Sequence, residues 1–359
     1  MRSLTGGVIS IALLLASCSS PMGPTPTPSP DKAVLSQSVI DRVVSPADGP
    51  GCAAAVGDRG AVVWQGSRGV ADLDAGAPIT ESTIFEIGSV TKQFTATAIL
   101  LLVADGRLSL DDHLSEHLSG QPAWGDAVTI DQLIHHDSGI PEYFPRLQAK
   151  GYDLETLTQR EAALEVIANI TRLDSEPGTQ FYYSNSNYLL LGYVIERVTG
   201  QALAAVLADR IFRPLGLELI LEPIDPVAGK ARSYRWTSSG TGYQLGDWKW
   251  DAAGAAGIQS GVADLVRWGD NYRTGKLGGR SLLDAQVAGA VDVGAGDGTR
   301  YGAGIAAAPD GSLFHPGTYG GFRTLFTVSA DRTRVLAVAC NLAALDVDTI
   351  AQQLAEIWK

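Results

Sequence analysis

Apolar residues come in short blocks near both ends of the chain and at helical spacing between them. Residues 52–57 and 61–66 are two such blocks, joined by Asp58-Arg59-Gly60, and predict a β-hairpin. Strand signals return at 312–315, 323–329 and 333–340, with turns expected at Pro316-Gly317 and Asp331-Arg332. Between the ends the period becomes helical. A helix is predicted over 34–44. Another starts at Ser89, carries Phe94, Ala98, Leu101 and Leu102, and stops at Gly106. Further helical stretches are 108–118 (short and irregular), 130–136, 154–170, 188–198 and 202–212, and residues 257–268 lead into another. At the end of the chain Val347, Ile350, Leu354, Ile357 and Trp358 share one helical face. The order strands, helices, strands, helix predicts an α/β (α+β) fold. One antiparallel sheet is built from both chain ends and flanked by helices, with a mainly helical lobe inserted. If the strands starting at Cys52 and ending at Cys340 pair antiparallel, the two cysteines become neighbours.

Length and charge narrow the picture. The 359 residues suffice for one large domain or two lobes. A net charge of −12 argues against a nucleic-acid partner, which needs a basic face. Residues 1–18 read as an address: Arg2 gives a positive start, and the apolar run 8–16 is too short to span a bilayer. Leu15-Ala16-Ser17-Cys18 resembles a bacterial lipobox, with cleavage before Cys18 and lipid on its sulfur; an ordinary signal peptide with a chance cysteine is the alternative. Residues 19–33, rich in Pro, Ser and Thr, read as an extended tether, leaving 34–359 as the folded domain. The expectation is an exported, membrane-anchored lipoprotein facing the periplasm or cell surface. In that compartment Cys52 and Cys340 could pair, and two free buried thiols are the other reading.

The candidate chemistry starts at Ser89-Val90-Thr91-Lys92. Ser89 and Lys92 are three apart and share a helical face. A serine hydroxyl needs a neighbouring base, and a desolvated lysine can serve. A capped core helix with an outward lysine fits the same four residues. A second Ser-x-x-Lys, Ser29 to Lys32, lies in the proline-rich tract and shows that the pattern arises by chance. Two further polar clusters are Tyr183-Ser184-Asn185 and His315-Pro316-Gly317. His135-His136-Asp137 invites a metal, but adjacent helical residues point about 100° apart, and no His-x-His or His-Glu-x-x-His spacing occurs. No metal or cofactor is expected. The glycine-rich run 293–298 lacks the Lys-Ser/Thr of a phosphate cradle. The aromatics of 233–251 fit a site entrance or a packed hairpin equally well.

With these three clusters in this order, the chain resembles the serine β-lactamase and penicillin-binding-protein superfamily. The Tyr-initiated middle motif places it nearest the DD-peptidase, class C β-lactamase and esterase branch. Pro50-Gly51, the stretch Leu133 to Gly139, Phe181 to Tyr188, and Tyr301-Gly302-Ala303-Gly304 extend the likeness. The resemblance implies that Ser89 is acylated and that Lys92 and Tyr183 share the proton transfers. It implies that Asn185 orients the substrate, that His315 flanks the cleft, and that the Ser89 and Thr318 N–H groups form the oxyanion hole. The implied substrate is a D-amino-acid peptide derived from peptidoglycan, a β-lactam or a small ester, with the DD-peptidase type first. Carboxylesterase or class C-like β-lactamase activity is the alternative. A non-catalytic peptidoglycan-binding or sensor domain is a reading from another class. Histidine replaces lysine in the third motif, which weakens the case for an efficient β-lactamase, because a fixed cation there would hold a substrate carboxylate.

Overall fold

The computed structural model describes residues 30–359. The expected leader, the Cys18 lipidation site and most of the tether lie outside the described residues. Strands β1 (Cys52–Asp58) and β2 (Ala61–Arg68) form the expected hairpin. Helix α1 (Pro30–Val43) precedes them and begins earlier than expected, inside the stretch read as tether. Proline is tolerated in a first helical turn, where no helical N–H bond is due, and Asp31 there suits the helix dipole. The C-terminal half supplies β3 (Val291–Asp292), β4 (Arg300–Tyr301), β5 (Ala306–Ala307), β6 (Leu313–Tyr319), β7 (Phe322–Val328) and β8 (Arg334–Cys340). They join the hairpin in one antiparallel sheet of order β3-β4-β5-β6-β7-β8-β1-β2. Both chain ends therefore build one sheet, as the strand–helix–strand order predicts.

Alternation along the central strands explains the layers. Cys52, Ala54, Val56, Leu336, Val338 and Cys340 face α1 and the C-terminal helix (Val347–Ile357). Ala53, Ala55, Val335, Ala337 and Ala339 face the main core, against Val262, Leu265, Val266 and Trp268. Cys52 and Cys340 are register partners in the β1–β8 ladder and are disulfide-bonded. Trp358 closes the outer layer by donating its indole N–H to Ser36 Oγ at 2.9 Å.

Between β2 and β3 lies the mainly helical lobe. Its centre is α2 (Lys92–Ala104), buried on all sides over most of its length, as a helix without a polar face must be. Helix α3 (Asn185–Thr199) starts three residues earlier than the sequence suggests, so Asn185 opens its first turn. The helix expected over 154–170 is confined to Arg160–Ala168, because Thr158 instead donates its N–H to Lys249 O at 2.9 Å. The turn expected at Pro316-Gly317 is also corrected. β6 runs straight through both residues, and the hairpin closes between Tyr319 and Phe322. Pro316 is accommodated because β5 pairs only as far as Phe314, which leaves that part of β6 as an edge.

Candidate active site

Three segments converge on one cleft between sheet and helical lobe. A 3-10 turn, Gly88–Thr91, carries Ser89 and runs directly into α2. Two glycines set how closely this turn meets β6. Gly88 has φ +54, and a Cβ there would lie 2.5 Å from Thr318 N. A Cβ on Gly317 would lie 2.1 Å from Ile87 O. Only glycine permits either approach, and together they hold Thr318 beside the Ser89 turn. Along β6, Pro316 and Thr318 are exposed to the cleft while His315 and Gly317 are buried.

Lys92 is fully buried. Its Nζ donates to Ser89 Oγ at 3.2 Å, to Asn185 Oδ1 at 2.7 Å and to Ala255 O at 3.0 Å. The rings of Tyr183 and Tyr188 lie 4.9 and 5.5 Å from it. Burial lowers its pKa from 10.5 to about 7, against the opposing pull of Glu142. The Tyr183 phenol is pushed up by burial, despite its hydrogen bond with Ser89. Near neutral pH, then, the amine exchanges its proton while the phenol keeps one. A serine hydroxyl beside such an amine is the arrangement that nucleophile activation requires. Ser89, Tyr183, Asn185, His315 and Thr318 all line one cavity of about 690 Å³. Every sequence-predicted residue of the three motifs is thus brought together, with Lys92 just behind the wall.

His315 does not act as a cation here. Burial, then Lys92, push its pKa down to about 3, against a hydrogen bond to Pro316. Nδ1 faces Pro316 O at 2.6 Å and so carries the proton, which leaves Nε2 to accept from the Tyr301 hydroxyl at 2.9 Å. The remaining cavity wall is mostly apolar, with Phe144, Leu154, Trp248, Phe314 and Tyr319 prominent. The aromatic run 233–251 divides between both readings. Tyr234–Trp236 pairs with Tyr243–Leu245 as a hairpin, whereas Trp248 lines the cavity. From the glycine-rich run, Val293, Ala295 and Asp297 also line it.

Several contributors escape sequence reasoning. His135 and His136 face different partners, as their spacing requires. His135 contacts Asp131 and Ala288, while His136 Nδ1 meets Ser184 N at 3.2 Å and Asn187 Nδ2 at 3.0 Å. The His136 ring stacks 4.3 Å from Tyr183, so it braces the middle motif. Glu86, fully buried, accepts from Gly88 N at 2.9 Å, Gly257 N at 3.0 Å and Gln259 Nε2 at 2.7 Å. Burial raises its pKa to about 7, partly offset by Lys230 and these bonds. Glu142 accepts from the backbone and side-chain nitrogens of Asn185, each at 2.8 Å. Glu142 is brought to the site only by the folded chain, and Glu86, though three residues before Ser89, fits no catalytic spacing rule.

The family pattern described as Beta-lactamase matches residues 40–357. The chain is 32% identical over 227 residues to a D-aminopeptidase of Cereibacter sphaeroides, covering 61% of this chain and 42% of that protein. It is 35% identical over 181 residues to Esterase EstB of Burkholderia gladioli, covering 46% of this chain and 45% of that protein. The chain therefore spans less than half the length of these two curated relatives. Among solved structures, the octameric penicillin-binding protein homologue from Pyrococcus abyssi superposes with a TM-score of 0.80 at 25% identity, covering 90% of this chain and 76% of that one. Because the family pattern runs from residue 40 to residue 357, nearly all of the described chain, the protein belongs to the Beta-lactamase family.

Proposed function

We propose that the protein is a serine hydrolase that forms an acyl-enzyme on Ser89. The observation that carries this reading is the buried Lys92 amine, 3.2 Å from Ser89 Oγ and able to shed its proton near neutral pH. In this reading Lys92 takes the Ser89 proton as the hydroxyl attacks the carbonyl. The backbone N–H groups of Ser89 and Thr318 hold the oxyanion. Tyr183, protonated at rest, gives its proton to the leaving group and takes one back from the incoming water, while Lys92 returns the proton it holds to Ser89 as the acyl group leaves. Asn185 and His315 orient the substrate.

The proposed substrates are D-amino-acid peptides or amides and small esters. Relatives named D-aminopeptidase and esterase support both classes. The cavity lining is almost uncharged, while at its edge the Arg323 guanidinium donates to Thr318 Oγ1 at 2.6 Å. Among the described lining residues there is no lysine or arginine, Asp297 is the one charged side chain, and His315 is neutral. A carboxylate beside the scissile bond, as in β-lactams and D-Ala-D-Ala peptides alike, would have to reach Arg323, which ranks both after uncharged esters and amides. The test is a panel of p-nitrophenyl esters, D-amino-acid amides, D-Ala-D-Ala peptides and benzylpenicillin, with Ser89→Ala as control. Turnover of the uncharged esters or amides, lost in Ser89→Ala, supports the reading. Turnover that survives in Ser89→Ala overturns it.

We further propose that the protein is exported and lipidated on Cys18, facing the periplasm or cell surface near its peptidoglycan-derived substrates. Leu15-Ala16-Ser17-Cys18 after an apolar run supports this. Cys18→Ala should move the protein from the membrane fraction to the soluble one; unchanged fractionation would contradict the anchor.

A further inference from the structure

Asn185 stands between an amine and a carboxylate. Its Oδ1 accepts from Lys92 Nζ at 2.7 Å, and its Nδ2 donates to Glu142 Oε2 at 2.8 Å. An amide side chain has one acceptor end and one donor end, so this order of partners leaves a single orientation. The same Oε2 also accepts the Asn185 backbone N–H at 2.8 Å, at the first turn of α3. The other oxygen, Oε1, accepts Tyr143 N at 2.8 Å and Phe144 N at 3.2 Å, which fixes the carboxylate itself. Four N–H donors on one half-buried carboxylate make a rigid post.

We infer that Glu142 is a positioning residue that turns the Asn185 amide so that its oxygen faces the Lys92 amine. This rests on the reading of Ser89 as nucleophile and Lys92 as base. Glu142 does not itself line the cavity; it acts through Asn185. Its second effect is electrostatic. Among the described residues it is the one carboxylate that acts on the Lys92 amine, and it favours the charged form. The other titratable groups around Lys92 are Tyr183 and Tyr188, which keep their protons, and His136 and His315, which burial and Lys92 itself hold neutral. Around Glu142 the further titratable group is Tyr143, whose phenol is pushed far up by burial and then by Glu142. None of these neutral groups can replace the carboxylate. Glu142 therefore raises the lowest pH at which the amine, depressed chiefly by burial, is free to accept the Ser89 proton.

The experiment is a pH titration of the full-length protein carrying lysine labelled with 13C at Cε. Lys92 is assigned by the signal that vanishes in Lys92→Met. In Glu142→Gln the Lys92 midpoint should fall from near pH 7 by about half a unit or more, because one neighbouring charge is gone. In Glu142→Asp, which restores the charge, it should return toward the wild-type value. The rate of Ser89 labelling by a fluorophosphonate, followed against pH, should show the same displacement of its acidic limb. An unchanged midpoint in folded Glu142→Gln overturns the inference. Should that variant fail to fold, Asn185→Ala tests the same link, since removing the amide oxygen must also lower the midpoint; no change there overturns it too. The midpoint is read without turnover. A shifted midpoint in a protein whose Ser89 does not label would leave this link standing and sink the hydrolase reading. A labelled Ser89 with an unmoved midpoint would do the reverse.

Discussion

Burying Lys92 should leave a pH-dependent mark on stability that has the opposite sign to that of an ordinary ion pair. The group is fully buried, and its pKa falls from 10.5 in the open chain to about 7 in the folded one. Between those values the unfolded chain holds a proton that the native state does not. Stability must therefore rise with pH across that window, and the burial cost is fully present below pH 7. At about 1.4 kcal/mol per pH unit, the wild type should gain roughly 3 kcal/mol between pH 6 and pH 9 from this residue alone. Lys92→Met removes the proton-binding group. It also orphans Asn185 Oδ1 and Ala255 O, but that loss does not vary with pH. The assay is urea unfolding of both proteins at pH 6 and pH 9. The stability of wild type minus that of Lys92→Met should increase by roughly 3 kcal/mol over the interval, since the remaining groups largely cancel in the comparison. A difference that stays constant within about 1 kcal/mol would refute the depressed amine and, with it, the assignment of Lys92 as a base ready at neutral pH.

Other perturbations follow from the same geometry. Tyr183→Phe removes only the phenolic oxygen, so kcat on an ester should fall about 10²–10⁴-fold with KM little changed; an unaltered kcat would exclude Tyr183 from proton transfer. Gly317→Ala would place a Cβ 2.1 Å from Ile87 O and force β6 away from the Ser89 turn. Labelling of Ser89 should slow by about 10²-fold or more with the fold retained, and unchanged labelling would mean that this approach does not matter. The Cys52–Cys340 bridge closes a segment with a sequence separation of 288. Thiol titration under denaturing conditions should detect neither cysteine before reduction, and Cys52→Ala with Cys340→Ala should cost about 2–5 kcal/mol; two reactive thiols would contradict the bridge.

How far the sequence carried depended on whether a signal was local. Alternation and turn residues revealed the paired ends of the sheet, because strand period and hairpin chemistry are written in neighbouring residues. The register then brought Cys52 to Cys340, and the three motifs met as the family resemblance implied. Pro316-Gly317 misled because proline and glycine usually signal a turn, whereas here proline occupies an edge and glycine a tight approach to Ile87. The 154–170 segment misled because a tertiary contact, Thr158 to Lys249, replaced its first helical turn. Glu86, Glu142 and the bracing ring of His136 were illegible for a different reason. The partners that tie them to the site, Gly257 for Glu86, Asn185 for Glu142 and Tyr183 for His136, lie far along the chain, and a single acid or histidine carries no spacing to read.

The most direct measurement is rapid-quench intact mass of the protein mixed with a slowly hydrolysed p-nitrophenyl ester, followed by peptide mapping. The account predicts an acyl adduct that forms in the first turnover, maps to Ser89, decays as product accumulates, and is absent in Ser89→Ala. Turnover with no adduct on Ser89, or an adduct that maps elsewhere and persists in Ser89→Ala, would contradict it.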